Sequence, residues 1–285
     1  MKKFFFASLM LLCFDVFTAI SAEVIVFNRE KVENIEKGTE LTSTPIPVDP
    51  AKKYRIQFKG SATGEYTLEE NERVRIMYKR YKANRLRFTF YDKTGKEFPS
   101  NYFDIMVLSN KIHEYVRIFY PPAKADTMRV FLNPVKGDKM TLEEITLKTD
   151  LEGIESQYLN THATFDYGDL NTYGFSCGGG GKFYTRPDGK TVWNTGFIGW
   201  SPFFPVQGKK YYKFFCRGKK SIGKGWIWIN FYKEDGGKIK NARIEINEKG
   251  AETILLMPKE TAMAKLQCYY VIIEEFTVTE SKNEK

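Results

Sequence analysis

Tryptophan is confined to the C-terminal half of the chain, at Trp193, Trp200, Trp226 and Trp228. The segment 226–232 reads WIWINFY, in which apolar residues alternate with polar or ring-bearing ones. Alternation with a period of two predicts a strand that buries the isoleucines and turns the tryptophans outward. Exposed rings can stack on the flat C–H patches of pyranose rings. The first chemistry that the sequence indicates is therefore sugar binding.

A second segment, 211–217 (YYKFFCR), alternates in the same way and adds both rings and cations. Sugar hydroxyls need polar partners beside the rings, and the amide and basic side chains of the two segments would supply them. The predicted sugar platform consists of Trp226, Trp228, Asn230, Tyr232, Tyr211, Lys213, Phe215, Arg217, Trp193 and Trp200. The alternative is that these rings pack against the other domain, a loop or the N-terminal extension.

Basic residues are dense in the N-terminal half, where seven of the fifteen residues 73–87 are Lys or Arg. The candidates for binding an anionic polysaccharide, chosen because they fall at outward positions, are Lys53, Arg55, Lys59, Arg85 and Arg87. The guanidinium group of arginine can bind a planar anion such as a carboxylate through two parallel hydrogen bonds. The alternative is a solvated edge hairpin whose charge protects it from aggregation.

Other patterns that carry chemistry fail on spacing. The glycines 178–181 precede Lys182, but Phe183 stands where a phosphate loop needs Ser or Thr. His113 and His162 are far apart in sequence, and neither has a neighbouring motif of a catalytic triad. No two of the 35 acidic residues stand out as the facing carboxylates of a glycosidase. We therefore expect neither catalysis nor, without a recognised motif, a nucleic-acid partner.

The N-terminus has the order of a secretory signal peptide, predicted to span residues 1–22. Two lysines precede an apolar run over 4–14, and small residues follow. The run is too short to cross a bilayer, and no later window has the roughly 18 apolar residues of a membrane helix. We therefore expect a secreted, periplasmic or cell-surface protein without a transmembrane segment after cleavage. Of the mature cysteines Cys177, Cys216 and Cys268, an oxidising compartment would favour one pair and one free thiol.

An internal repeat organises the chain. Residues 47–60 (PVDPAKKYRIQFKG) and 205–218 (PVQGKKYYKFFCRG) share five identities, against roughly one expected from average composition. Further blocks recur in the same order, namely 86–95 over 227–236, 122–132 over 258–268 and 143–147 over 274–278. A chain of 285 residues has room for two domains. The predicted organisation is a domain over 23–150, a linker over 151–158, a second domain over 159–280 and a tail over 281–285.

Each copy alternates like strands and lacks a helical period, which predicts an all-β fold of antiparallel sheets packed face to face. The blocks KKYRIQF, FYDKTG, PAKA and EEITL resemble the carbohydrate-binding modules of families 4, 9 and 22, the galactose-binding-like jelly rolls. The resemblance implies two tandem jelly-roll β-sandwiches that hold sugars on an outer face or a loop rim. It also implies a structural Ca²⁺, for which the candidate ligands are Asp166, Asp169 and Glu275.

The function expected from the sequence is recognition of a polysaccharide or oligosaccharide by an exported, non-catalytic protein, mainly through its second domain. A glycan-degrading enzyme is the expected partner, and apart from Ca²⁺ no cofactor is expected. The alternative is a structural or adhesive cell-envelope protein whose aromatic face is a domain or partner interface. Burial of Trp226 and Trp228 against the first domain would favour this alternative.

Overall fold

A computed structural model describes residues 24–25, 31–35, 42–63, 84–98, 102–107, 109–133, 139–149, 151, 154–171, 173–178 and 181–282. These residues form nineteen strands and one four-residue helix, Ile154–Gln157 (α1), so the predicted all-β class is confirmed. The predicted signal peptide and the basic residues 73–83 lie outside the described residues. Nowhere in the described part is there a helix long and apolar enough to span a bilayer.

The N-terminal half contributes nine strands to two antiparallel sheets. Their bounds are Val24–Ile25 (β1), Lys31–Ile35 (β2), Ile46–Pro47 (β3), Tyr54–Ala62 (β4), Arg85–Tyr91 (β5), Phe103–Met106 (β6), His113–Phe119 (β7), Thr127–Asn133 (β8) and Met140–Lys148 (β9). Sheet I has the order β1-β9-β4-β7, with β2 also paired to β9. Sheet II has the order β3-β8-β5-β6, so β4 and β5 are consecutive in sequence but belong to different sheets.

The C-terminal half contributes ten strands to two further antiparallel sheets. Their bounds are Ser176–Gly178 (β10), Lys182–Thr185 (β11), Thr191–Asn194 (β12), Ile198–Pro205 (β13), Tyr211–Lys220 (β14), Trp226–Tyr232 (β15), Lys238–Ile244 (β16), Ala251–Leu256 (β17), Met263–Tyr269 (β18) and Val271–Ser281 (β19). Sheet III has the order β10-β13-β18-β15-β16, and sheet IV the order β11-β12-β19-β14-β17.

The four sheets together resemble the four blades of a small propeller, but the buried side chains group them in pairs. One hydrophobic cluster joins Ile56 of sheet I to Phe88 of sheet II. A second cluster joins Phe214 of sheet IV to Ile229 of sheet III. Each pair of sheets therefore packs face to face over its own core, as in a sandwich.

The blocks repeated in the sequence occupy corresponding places in the two halves. Strands β5 and β15 share one burial pattern, in which the second, fourth, fifth and sixth residues are buried. Leu86 of β5 lies opposite Leu132 of β8, and at the aligned positions Ile227 of β15 lies opposite Cys268 of β18. Strands β7 and β17 likewise flank β4 and β14 at the edges of sheets I and IV.

The chain entering the second sandwich runs along the free edge of β7. The backbone N–H of Val116 donates a hydrogen bond to Asn171 Oδ1 at 2.8 Å, and that of Ile118 donates to His162 Nε2 at 3.3 Å. An edge strand otherwise exposes unpaired backbone groups. Side chains of the second half therefore complete the hydrogen bonding of the first, and the two sandwiches meet along this edge.

Candidate functional site

The structure divides the predicted sugar platform between two faces. Strand β15, with Trp226, Trp228 and Tyr232, belongs to sheet III, whereas β14, with Tyr211 and Phe215, belongs to sheet IV. Alternation predicted the buried positions of β14 and most of those of β15 correctly, with Asn230 as the exception. The expectation that the two strands share one face is wrong, because they lie in opposite sheets and their outward side chains point to opposite sides of the core.

Sheet III carries six partly exposed rings on its outer side, which we call the aromatic face: Trp200, Phe203, Trp226, Trp228, Tyr232 and Tyr269. Trp226 stacks on Tyr269 with ring centroids 5.2 Å apart. Phe203 meets Tyr232 edge-on at 5.1 Å. The sequence reasoning missed Phe203 and Tyr269. The parity of β18 could have found Tyr269, but the register shift between Trp200 and Phe203 hides Phe203 from a parity argument.

The middle of the aromatic face is a row of three side chains on adjacent strands. Trp200 of β13 and Trp228 of β15 are both register partners of Gln267 on β18, which places the glutamine between the two indoles. Two strand spacings separate the tryptophan backbones by about 10 Å. This span is comparable to the length of a disaccharide, so both rings could contact one sugar chain.

A short hydrogen-bond chain holds Gln267 in place. Its Nε2 donates to the Tyr269 hydroxyl at 2.6 Å, and its Oε1 accepts a hydrogen bond from Asn230 Nδ2 at 3.1 Å. A primary amide has two N–H donors and two acceptor lone pairs. One donor and one lone pair of Gln267 thus stay available to a ligand hydroxyl between the tryptophans.

Two predicted platform residues are corrected by their burial. Asn230 is 1% exposed and lies behind Gln267, so it positions that amide and does not meet a ligand. Trp193 is 0% exposed because β12 lies in sheet IV with its middle residues in the core. Its indole packs against Phe175 at 4.6 Å and donates to Cys177 Sγ at 3.1 Å. Trp193 therefore stabilises the fold and offers no surface to a sugar.

Lys265 is a cation at the margin of the aromatic face. Lys265 Nζ sits 4.9 Å from the centroid of the Phe203 ring. Burial lowers the pKa of Lys265 from its ordinary value. Lys265 lies opposite Phe203 on one neighbouring strand and opposite Asn230 on the other. The lysine adds a hydrogen-bond donor to the end of the face that carries Phe203 and Tyr232.

The outward residues of β14 are mostly engaged with charged neighbours. Lys213 pairs with Glu252 at 3.1 Å, and Arg217 Nη2 pairs with Glu275 at 2.7 Å. The ring of Phe215 lies against the backbone of Gly250, where an added Cβ would come within 2.3 Å of it. The outer side of sheet IV therefore combines ion pairs with a half-buried ring and the exposed aliphatic side chains of Ile254 and Leu256, and unlike the aromatic face it carries no tryptophan.

The five basic candidates of the first sandwich do not form one patch. Lys53, Arg55 and Lys59 lie on the outer side of sheet I, whereas Arg85 and Arg87 lie on the outer side of sheet II. They also have partners in place, which are the Asn160 carbonyl for Lys53, the Tyr167 ring for Arg55, Glu144 for Lys59 and Asp104 for both Arg85 and Arg87. The five candidates are thus divided between two faces, because outward parity does not say in which sheet a strand lies, and anion binding by these residues stays a prediction.

The residues suggested for Ca²⁺ are not assembled as a ligand group. Glu275 is committed to Arg217 at 2.7 Å, and Asp166 accepts a hydrogen bond from the Thr164 hydroxyl. Among the described residues, no three His, Cys, Asp or Glu side chains converge on a point that could hold a metal ion. Asp166, Asp169 and Glu275 are therefore not gathered as one group of side chains, and the Ca²⁺ that the resemblance implied stays a prediction.

Cys177, Cys216 and Cys268 are all buried and none of them forms a disulfide, which differs from the expected pair. Cys177 and Cys268 both lie opposite Gly199, one on each side, so two strand spacings separate them. This separation of about 10 Å exceeds the reach of a disulfide. Burial raises the pKa of Cys216 and of Cys268, so neither thiol is activated as a nucleophile.

No family model and no curated protein matches the chain. Among solved structures it is similar to the tandem CBM22-1–CBM22-2 domain of Xyn10C from Paenibacillus barcinonensis, with 10% identity over 93% of this chain and 100% of that one and a TM-score of 0.32. It is also similar to the tandem CBM51 modules of Sp3GH98 from Streptococcus pneumoniae (11% identity, 87% and 83% covered, TM-score 0.22). A third similarity is to allantoicase from Saccharomyces cerevisiae (8% identity, 91% and 94% covered, TM-score 0.24). Similarities at these TM-scores do not assign a function.

Proposed function

We propose that this protein is an exported, non-catalytic carbohydrate-binding protein that reads a polysaccharide or oligosaccharide with the aromatic face of its second sandwich. In the same proposal, the two sandwiches are tandem jelly rolls of the galactose-binding-like kind that arose by internal duplication. The observation that carries the proposal is the row Trp200–Gln267–Trp228, in which two partly exposed indoles flank an amide with free hydrogen-bonding capacity.

The expected affinity follows from the area of the rings. Covering one exposed ring contributes on the order of 1–3 kcal/mol by area, before the cost of ordering the sugar. Two or three rings would give binding in roughly the micromolar to millimolar range. Binding this weak suits a protein that holds a polymer near a partner enzyme, and such a partner stays a prediction.

The second candidate function is a structural or adhesive envelope protein whose aromatic face is an interface. Burial of Trp226 and Trp228 under the first sandwich would have favoured it. Both rings are partly exposed, and within the described part of the chain no hydrogen bond or ring contact joins them to residues 42–149. The first sandwich instead meets the second along β7. This arrangement favours a ligand from solution over an internal interface.

The test is affinity electrophoresis of the wild-type chain and matched variants through gels that contain a panel of neutral and anionic polysaccharides. Trp228→Ala and Trp200→Ala should each weaken retention at least about tenfold, since each removes one stacking ring. Phe215→Ala, on the outer side of sheet IV, is the matched control and should leave retention unchanged. No retention of the wild-type chain on any polysaccharide, or equal loss in the control, would overturn the proposal.

A further inference from the structure

Three connections meet at one end of the second sandwich: residues 195–197, residues 221–225 and the tight turn at Tyr270, together with the strand ends beside them. The backbone N–H of Ser221 donates to the Tyr270 carbonyl at 2.7 Å, and the Tyr270 N–H donates to the Gly196 carbonyl at 3.0 Å. Gly225 packs so closely on this turn that an added Cβ would lie 2.6 Å from the same Tyr270 carbonyl. These connections therefore form one continuous surface, which we call the tip.

The tip presents the two most exposed large hydrophobic side chains among the described residues. Ile222 is 61% exposed and Phe197 is 53% exposed. The Phe197 ring meets the rings of Tyr270 and Tyr269 edge-on, at 5.6 and 6.3 Å, and Tyr269 in turn stacks on Trp226. Phe197 is thus supported from one side by aromatic rings and left open on the other. Single exposed apolar side chains are common, but a group of them beside aromatic rings on one surface is typical of a contact site for a partner.

Lysines lie close to Ile222 in the sequence. Lys219 and Lys220 end β14, Lys224 lies in the loop that contains Ile222, and all three are exposed. The adjoining loop 245–250 touches the tip through a hydrogen bond from the Gly218 N–H to the Asn247 carbonyl. That loop contributes Glu245, Glu248 and Lys249. Four lysines against two glutamates leave this end of the sandwich with a net positive charge of two.

We propose that the tip docks the protein on an anionic lipid bilayer. Isoleucine and phenylalanine side chains enter the boundary between headgroups and acyl chains, and tyrosine and tryptophan rings favour the interfacial layer. Lysines beside them attract anionic headgroups, with an affinity gain of about fivefold for each cation near the surface. The positive charge of the tip is complementary to the negative charge of the bilayer surface. The tip differs from the aromatic face because it combines exposed apolar side chains with several lysines. This inference goes beyond sugar binding and does not depend on it.

The test is co-sedimentation of the wild-type chain with vesicles of phosphatidylcholine alone and of phosphatidylcholine mixed equally with phosphatidylglycerol. The chain should sediment with the mixed vesicles only. Replacing Lys219, Lys220 and Lys224 together by Gln should weaken binding about 100-fold. The double variant Phe197→Ser with Ile222→Ser should weaken it at least about tenfold. All variants share one N-terminus, so any binding through residues 1–22 is common to them and cancels.

The matched control is the pair Ile112→Ser and Leu256→Ser, which removes equally exposed apolar side chains elsewhere on the molecule. It should bind the mixed vesicles within about twofold of the wild type. Failure to sediment with the mixed vesicles would overturn the proposal, as would unchanged binding in both tip variants. Retention of the tip variants on a polysaccharide gel reports separately on the aromatic face. Loss of sugar binding with intact vesicle binding would therefore overturn only the proposed function.

Discussion

The outer sides of sheets II and III differ in chemistry, although their strands β5 and β15 share one burial pattern. Strands β5 and β15 bury the same positions. At one exposed position β5 has Arg87, which lies opposite Asp104 on β6. At the aligned position β15 has Trp228, which lies opposite Arg243 on β16. An inward set of residues therefore maintains the framework in both halves, while the outward set is free to form ion pairs in one and a ring platform in the other.

The corresponding edge strands differ in the same way. Strand β7 is buried from Tyr115 to Phe119, because the chain entering the second sandwich covers its edge. Strand β17 alternates between half-buried and exposed residues, and Ile254 and Leu256 face solvent. The first sandwich thus uses its edge to hold the second one, whereas the second keeps its edge, its aromatic face and its tip accessible. The difference is consistent with the proposed function, in which the second half carries the recognition surface.

The largest effect that separates the two edges is expected at Asn171, which is 2% exposed. Its amide accepts from the Val116 N–H and donates to the Glu114 carbonyl at 3.2 Å. Asn171→Ala leaves these buried backbone groups unpaired, so the free energy of unfolding should fall by about 2–4 kcal/mol. Urea unfolding followed by far-UV circular dichroism measures the change. Amide exchange at Val116 should also accelerate.

The control for this prediction lies on the other edge. Leu256→Ala removes an exposed side chain from β17 and should change the free energy of unfolding by no more than about 0.5 kcal/mol. Because every tryptophan lies in the second half, indole fluorescence reports on that sandwich alone. Equal effects of Asn171→Ala and Leu256→Ala would show that the covered edge of β7 adds nothing to stability, and the contrast between the two edges would be lost.

A smaller effect on the same edge should depend on pH. Burial lowers the pKa of His162 well below its usual value, and the nearby cations Arg117, Lys53 and Arg55 lower it further. Below about pH 6.5, His162 is therefore protonated in the unfolded chain while it stays neutral in the folded chain. Stability is therefore complete above about pH 6.5 and falls with the pH by up to about 1.4 kcal/mol per unit, until the pKa of the folded state is reached. Protonation also removes the acceptor that Nε2 offers to the Ile118 N–H.

Urea unfolding of the wild type and His162→Gln between about pH 5 and 7 isolates this contribution. The glutamine can still accept the hydrogen bond but does not titrate, so its stability should change less with pH than that of the wild type. Carboxylates titrate alike in both chains and cancel in the difference. Parallel curves would mean that the histidine is protonated as easily in the folded chain as in the unfolded one.

Much of the framework could be predicted from the sequence because the inward residues follow simple rules. Alternation identified most of the buried positions of β4, β5, β14 and β15, and the repeated blocks fall on β4, β5, β8 and β9 in one half and on β14, β15, β18 and β19 in the other. Alternation separates inward from outward but does not say to which sheet a strand belongs. This is why β14 and β15 were wrongly placed on one face. Sheet membership depends on pairing between strands far apart in sequence.

Details of the candidate site were harder to predict for the same reason. Trp193 lies in a short strand with three buried residues in a row, so no alternation marked it as part of the core. Gln267 becomes a site residue only when β18 pairs with both β13 and β15. His162 and Asn171 acquire their roles from contacts with a strand about fifty residues earlier. Such contacts are set by tertiary packing, which a local pattern does not record.

The smallest predicted effect tests the two outer faces directly. Arg87 forms two hydrogen bonds with Asp104, at 2.9 and 3.1 Å, and its guanidinium lies 4.3 Å from the centroid of the Tyr102 ring. Because this pair is only partly buried, Asp104→Ala should lower the free energy of unfolding by about 1 kcal/mol. Arg243→Ala, at the aligned position beside Trp228, should change it by no more than about 0.5 kcal/mol in thermal or urea unfolding. If Arg243→Ala proved the more destabilising change, the arginine would be holding the Trp228 ring in place. Both faces would then be stabilised by an arginine that contacts an aromatic ring, Arg87 on Tyr102 in one and Arg243 on Trp228 in the other. The contrast in chemistry between the two faces would be smaller than their residues indicate.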